Sequence, residues 1–291
     1  MITNIEFALM SGAAYESTRD IINQFPTPTN WLAVNHKTQN SGFEAVAFIR
    51  DGTTLATSSE IVISYAGTDP ADVSGDIAAD LALAAGGLSV QLRQAADYYL
   101  KVRATNPGAT ISFTGHSLGG GLAALMAVYF DESAATFDQA PFLRSALWQE
   151  QGIDTNGNTI PHLVAADLLT YLKNEGIYTE SQLVRLKAYV DAADSANPNP
   201  VAGDTLAVRG QKVSNINTDG EFLTSWFLVP SSNRIGTQAD IANSHDGLGL
   251  LGGIELHSQA LLTAFLQSDR TVMEYLLSPV RKAWHEAGRE R

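Results

Sequence analysis

The chain has 291 residues, 45% of them apolar and 17% charged, an ordinary globular composition rather than that of a disordered or coiled-coil chain. It contains no cysteine, which excludes disulfides, thiolate metal sites and a cysteine nucleophile. Its net charge of −13, from 31 acids against 18 bases, argues against nucleic-acid binding and against bulk electrostatic docking on anionic lipid, although a local apolar surface can still touch a membrane.

The opening stretch MITNIEFALMSGAAY has no basic segment, and Glu6 interrupts its apolar part, so no cleavable signal peptide is expected. No apolar run approaches the ~20 residues that span a bilayer, so the sequence reads as a soluble protein of undetermined compartment. Residues 4–18 have the pattern of an amphipathic helix, with Ile5, Phe7, Ala8, Leu9 and Tyr15 on its apolar side. A Thr-, Asn- and Pro-containing loop follows at 25–30. Two short apolar runs, EAVAFIR (44–50) and IVISY (61–65), read as strands joined through DGTT. Helical spacing returns at 89–103 and stops before NPG; 109–114 (ATISFT) reads as a strand. Residues 118–130 are apolar all round and read as a buried helix, and 134–137 as a short strand ending at Asp138. The stretch 142–195 looks helical in pieces (PFLRSALWQE, HLVAADLLTYLKNEG and SQLVRLKAYVDAADS) and closes at NPNP. Strands are expected at 206–208 and 213–216, a Gly- and Asn-rich stretch at 231–253, and helices at 257–267 and 271–286. Alternating strands and helices at both ends predict a single α/β domain over 1–291 with a central, mostly parallel sheet, and a helical insertion at about 142–205.

The chemistry centres on Gly115-His116-Ser117-Leu118-Gly119, a GxSxG extended to GHSLGGG. As a bare pattern it is weak. Its context is specific, because a strand precedes it and a helix follows, the setting of a sharp turn that presents a serine oxygen above a sheet. The helix N-terminus then favours a developing oxyanion. A serine hydroxyl needs a base held by an acid. Of the six histidines, His116 lies inside the turn and reads as packing. His36 precedes the sheet, His162 reads as a cap or surface residue at a helix start, and His285 lies in a charged tail. His257 remains, between an apolar run and a helix, with His245 behind it. The acid is expected between Ser117 and His257. Asp219 directly follows the strand-like run 213–216 and is the first candidate; Asp246, Glu221 and Asp138 stay open, each also readable as a turn-forming or capping acid. The oxyanion donors are expected at the N–H of Leu118, the residue after the nucleophile, and in the turn Ala66-Gly67-Thr68-Asp69 that ends IVISY.

These pieces together resemble the class 3 lipases, the group of fungal triacylglycerol lipases and related phospholipases A1. The similarity is carried by FALMSGAAY, by VISYAGTDP with DIAADLAL, by ISFTGHSLGGGLAALMA and by LHSQALL, covering 4–138 well and 206–268 loosely. It implies an α/β-hydrolase fold and a serine esterase of lipid esters. The family's oxyanion strand ends in Arg-Gly-Ser or Arg-Gly-Thr. Here Ala66 stands at the Arg position, and Thr68 is the residue carried over. Asp219 fits the family's acid and His257 its base. The family's lid position falls on 76–88. The helical insertion is a larger lid candidate, with one apolar stripe at Leu163, Val164, Leu168, Leu169 and Leu172 and another at Leu183, Leu186, Tyr189 and Val190; both stripes can equally well be core. No metal or other cofactor is expected, since no metal-spaced acidic loop occurs. The implied partner is a lipid ester at a lipid–water interface. An acyltransferase on the same fold and a non-catalytic lipid-binding module are the alternatives.

Overall fold

A computed structural model describes residues 1–15, 25–67, 90–147, 149–153, 159–194, 197–218 and 233–241. The elements in chain order are α1 (Asn4–Ala13), β1 (Trp31–Thr38), β2 (Glu44–Arg50), β3 (Glu60–Tyr65), α2 (Val90–Thr105), β4 (Thr110–His116), α3 (Leu118–Phe130), β5 (Ser133–Phe137), α4 (Leu143–Ala146), β6 (Gln149–Ile153), β7 (Thr159–His162), α5 (Val164–Asn174), α6 (Glu180–Ala193), α7 (Leu206–Arg209), β8 (Val213–Thr218) and β9 (Thr237–Ile241). Among the described residues one sheet has the order β1-β2-β3-β4-β5-β8-β9, and β6 and β7 form a separate antiparallel pair. In the large sheet the β1–β2 and β2–β3 pairings are antiparallel, and β3–β4, β4–β5, β5–β8 and β8–β9 are parallel.

Alternating side chains split the core in two. Ile61, Ile63 and Tyr65 of β3 and Ile111 and Phe113 of β4 face one side, where α2 and α3 join them in one cluster and α5 and α6 pack behind those helices. Val62 of β3 and Val46 and Phe48 of β2 face the other, against Met10, Ala14 and Tyr15. On that second side Phe137 and Ile216 pack on Ala8 of α1. Thr3 and Glu6 close a capping box that starts α1, and Glu6 also accepts a hydrogen bond from Trp31 Nε1 at 2.9 Å. Helix α3 is buried from Gly119 to Phe130, as an all-apolar helix against a parallel sheet must be.

Several expectations change. The first helix ends at Ala13 rather than 18. Residues 31–38 form an edge strand, so His36 lies within the sheet's first strand, exposed, rather than before the sheet. Residues 206–208 belong to a helical turn, not a strand, and 237–241 add a strand inside the Gly- and Asn-rich stretch. The first piece of the predicted helical block is only one turn long and gives way to the β6–β7 hairpin. That places His162 in a strand rather than at a helix start. Both apolar stripes of the insertion are core. Leu163, Val164, Leu168, Leu169, Leu172, Leu183, Leu186 and Tyr189 are all buried in the main cluster, with Val190 packed at its edge. Among the described residues, neither stripe is left free to serve as a lid's apolar face. The other lid candidate, 76–88, and the predicted helices 257–267 and 271–286 lie outside the described residues.

The insertion is tied to the far end of α3 by Arg209, which is 1% exposed. Its guanidinium donates to the carbonyls of Val128 at 2.8 Å and Tyr129 at 3.0 Å, to Arg185 O at 3.1 Å and to Asp204 Oδ1 at 2.7 Å. Helix-end carbonyls have no partner within their helix, and here a buried cation supplies one. Arg209→Met is expected to fill the space but strand these acceptors. Urea titration should show a stability loss of about 3 kcal/mol, the size typical of a broken buried ion pair.

Candidate active site

Four neighbouring parallel strands, β3, β4, β5 and β8, end at the same edge of the sheet. The next residues along the chain are Ala66-Gly67, Ser117, Asp138 and Asp219 respectively. The carboxyl edge of a parallel sheet is where such folds gather reacting groups.

Ser117 stands between β4 and α3 at φ 56° and ψ −125°, outside the regions open to a residue with a Cβ. Such a conformation costs about 1–3 kcal/mol and persists only where its surroundings hold it. Three hydrogen bonds do so. Ser117 N donates to Phe137 O at 3.0 Å, and Ser117 O accepts from Gly121 N at 3.0 Å and Ala140 N at 2.9 Å. The side chain is half-buried at the positive end of α3, and Leu118 opens the helix where first-turn N–H groups have no acceptor within it.

The glycines serve close approach. A Cβ on Gly119 would lie 2.8 Å from the carbonyl carbon of Ala66 and closer still to Tyr65 O; a Cβ on Gly115 would lie 2.8 Å from Gly120 N and closer to Gly119 itself. Gly121 makes room for the Phe142 ring. Strand β4, helix α3 and the end of β3 thus pack backbone to backbone. A Cβ on Gly67 would lie 2.5 Å from Tyr15 Oη and 2.8 Å from His116 O. The Tyr15 hydroxyl is wedged between that loop and the turn, donating to His116 O at 3.4 Å and lying 3.4 Å from His116 Nδ1. Behind the loop, burial pushes the Tyr65 hydroxyl well above its ordinary titration range, so it remains a neutral donor to Ala95 O at 3.0 Å.

His116 is buried, in keeping with a packing role. Its Nε2 lies 3.9 Å from Asp138 Oδ2. Asp138 has φ 41° and is fully buried; its Oδ1 accepts from Thr218 N at 2.7 Å. Of the expected site residues, the described structure holds Ser117 and Leu118 side by side. Thr68, Asp219 and His257 lie outside the described residues, as do Asp246, Glu221, His245 and His285. What is described beside them is the residue before each of two: Gly67, packed on the turn, and Thr218, the last of β8. From the sequence Tyr15 reads as part of a helix's apolar face, and Asp138 as a triad acid or a turn-forming or capping acid. Neither contact has a local signature, since both join segments far apart in the chain.

A mostly parallel sheet with helices on both faces, and a serine held at positive φ between a central strand and the helix that follows, define an α/β-hydrolase. The chain belongs to the phospholipase-like family: the model of the Tle-like phospholipase domain matches residues 11–223. It is a lipid-ester hydrolase. Solved structures similar to it include the lipase–propeptide complex of Rhizomucor miehei (13% identity, 82% of this chain and 67% of that one, TM-score 0.40). The lipase of Rhizopus microsporus var. chinensis (12%, 82% and 73%, 0.41) and lipase II of Rhizopus niveus (12%, 82% and 79%, 0.40) are similar to a like degree. These likenesses are slight, and the assignment rests on the family match, the strand order and the turn. Comparison with curated proteins returns no match. Among the described residues, no helix is long and apolar enough to cross a membrane.

Proposed function

We propose that the chain is a single serine hydrolase unit that cleaves fatty-acyl esters of glycerophospholipids at a lipid–water interface. The observation that carries this is the strained Ser117, poised between β4 and the positive end of α3. Ser117 Oγ attacks the ester carbonyl while His257 takes its proton. The tetrahedral oxyanion accepts from the N–H groups of Leu118 and Thr68. His257 then protonates the departing lysolipid alkoxide, leaving an acyl ester on Ser117. Water, deprotonated by the same histidine, attacks that ester and releases the fatty acid. Asp219 keeps His257 in the right tautomer and offsets its charge. No step needs a metal ion. Asp219 is favoured over Asp246, Glu221 and Asp138 because β8, parallel to β5, ends immediately before it. The phospholipid class follows the family's phospholipase character.

With little change in KM, His257→Ala is expected to lower kcat about 1,000,000-fold and Asp219→Asn about 10,000-fold, the scales seen when a triad loses its base and its orienting acid respectively. An unchanged kcat in Asp219→Asn would move the acid to one of the other three carboxylates. The substrate class is tested with phosphatidylcholine labelled separately at the sn-1 and sn-2 chains, with triolein in parallel. Release of labelled fatty acid from phosphatidylcholine supports the proposal, and the label released gives the position cut. Cleavage of triolein alone would make the enzyme a triacylglycerol lipase instead.

A further inference from the structure

We propose that Asp138 is a positioning residue: its buried carboxylate completes the sheet where β5 leaves it and thereby fixes the point from which the chain passes into Asp219. The proposal rests on the triad reading above and extends it.

The argument starts from the ladder between β5 and β8. In a parallel pair, a residue donates its N–H to one partner, and its own carbonyl accepts from the residue two further along. Asp138 makes the first of these bonds, donating its N–H to Ile216 O at 2.9 Å. The second would join Thr218 N to Asp138 O. At φ 41°, however, the chain turns out of the sheet, and two residues on Ala140 N is bonded to Ser117 O. The carboxylate takes over the missing acceptor, with Oδ1 receiving Thr218 N at 2.7 Å in a site without solvent exposure. The other oxygen, Oδ2, lies 3.9 Å from His116 Nε2. One side chain therefore bonds the backbone of the residue before the candidate acid and lies beside the imidazole of the residue before the nucleophile.

The residue type fits this duty. A positive φ at this position would suit glycine best, and glycine would leave Thr218 N without its acceptor. Asp is among the few other residues that accept the left-handed region, and it brings an oxygen of its own. A shift of about 1 Å in the acid would tilt the imidazole it orients, enough to cost about 100-fold in rate without touching substrate binding.

Asp138→Gly removes the brace while leaving a backbone that accepts φ 41° freely; Asp138→Asn keeps an oxygen at the same reach without the charge. With a soluble short-chain ester as the assay, Asp138→Gly is expected to lower kcat about 10- to 100-fold, with KM within about 2-fold. The rate at which a fluorophosphonate labels Ser117 should fall in parallel. Asp138→Asn should restore both to within about 3-fold of the parent, while Asp219→Asn stays inactive. Parental kcat and labelling in Asp138→Gly would overturn the proposal, reducing the contact to stability alone. An Asp138→Asn variant as inactive as Asp219→Asn would also overturn it, since the charge and not the brace would then matter. If Asp138→Gly does not fold, Asp138→Ala, which likewise lacks the acceptor for Thr218 N, is read in the same way. Ser117→Ala, run alongside, separates the two layers: turnover surviving there would count against the serine reading and not against the brace.

Discussion

Ser117→Ala is expected to reduce hydrolysis of both phospholipid and soluble ester by about 1,000,000-fold, the scale of losing a nucleophile whose partners act with it as one unit. The fold should survive, because three hydrogen bonds that hold the turn at Ser117 use its backbone. Ser117→Gly separates chemistry from strain. It should be equally inactive, yet about 1 kcal/mol more stable than the parent by urea titration, since glycine occupies φ 56° without the penalty a Cβ incurs. A stability gain with total loss of turnover would mark the strain as a cost borne for presenting the oxygen. An equally stable Gly variant would mean that the surroundings, and not the serine, set the energy of the turn.

Gly119→Ala is the second change expected to have a large effect. The new methyl would enter the backbone of Tyr65 and Ala66, and neither is a flexible side-chain end that can swing aside. Either α3 lifts away from β3, or the end of β3 moves and carries with it the turn leading to Thr68. The expected outcome is a loss of about 3 kcal/mol or more in stability together with a drop of at least about 100-fold in kcat. Gly203→Ala is the matched control: nothing lies within 4 Å of its added Cβ, and it should leave both quantities unchanged. A harmless Gly119→Ala would contradict the close packing of the turn on β3.

Much of this architecture was legible in the amino-acid order because its demands are local. Strands β2 to β5 each carry a short apolar run, and GHSLGGG spells out a turn whose glycines must sit beside one another. The elements that escaped lack such a signature. Strand β1, at one edge, is largely outside the core, with Asn35 at φ 56° and a register shift between Val34 and Lys37 that breaks any alternation. Strand β9 is polar and mostly exposed. Residues 206–208 read as a strand because Leu-Ala-Val is short and apolar, whereas the position is fixed as a turn by buried Arg209 beside it. The stripes on α5 and α6 were visible as stripes. Which surface they meet depends on α3 and α2, and no sequence period encodes that. The same limit applies at the site. The serine and its oxyanion N–H follow from five consecutive residues. The Asp138 brace joins segments 80 residues apart and is apparent only when β5 and β8 lie side by side.

The most direct test of the account is to find the atom that attacks. The protein is incubated with a fluorophosphonate, digested and mapped by mass spectrometry, with Ser117→Ala treated in the same way. The account predicts a single phosphonyl adduct on Ser117, formed in step with loss of phosphatidylcholine hydrolysis, and no adduct in the variant. An adduct on another residue, or full inhibition with Ser117 unmodified, would contradict it.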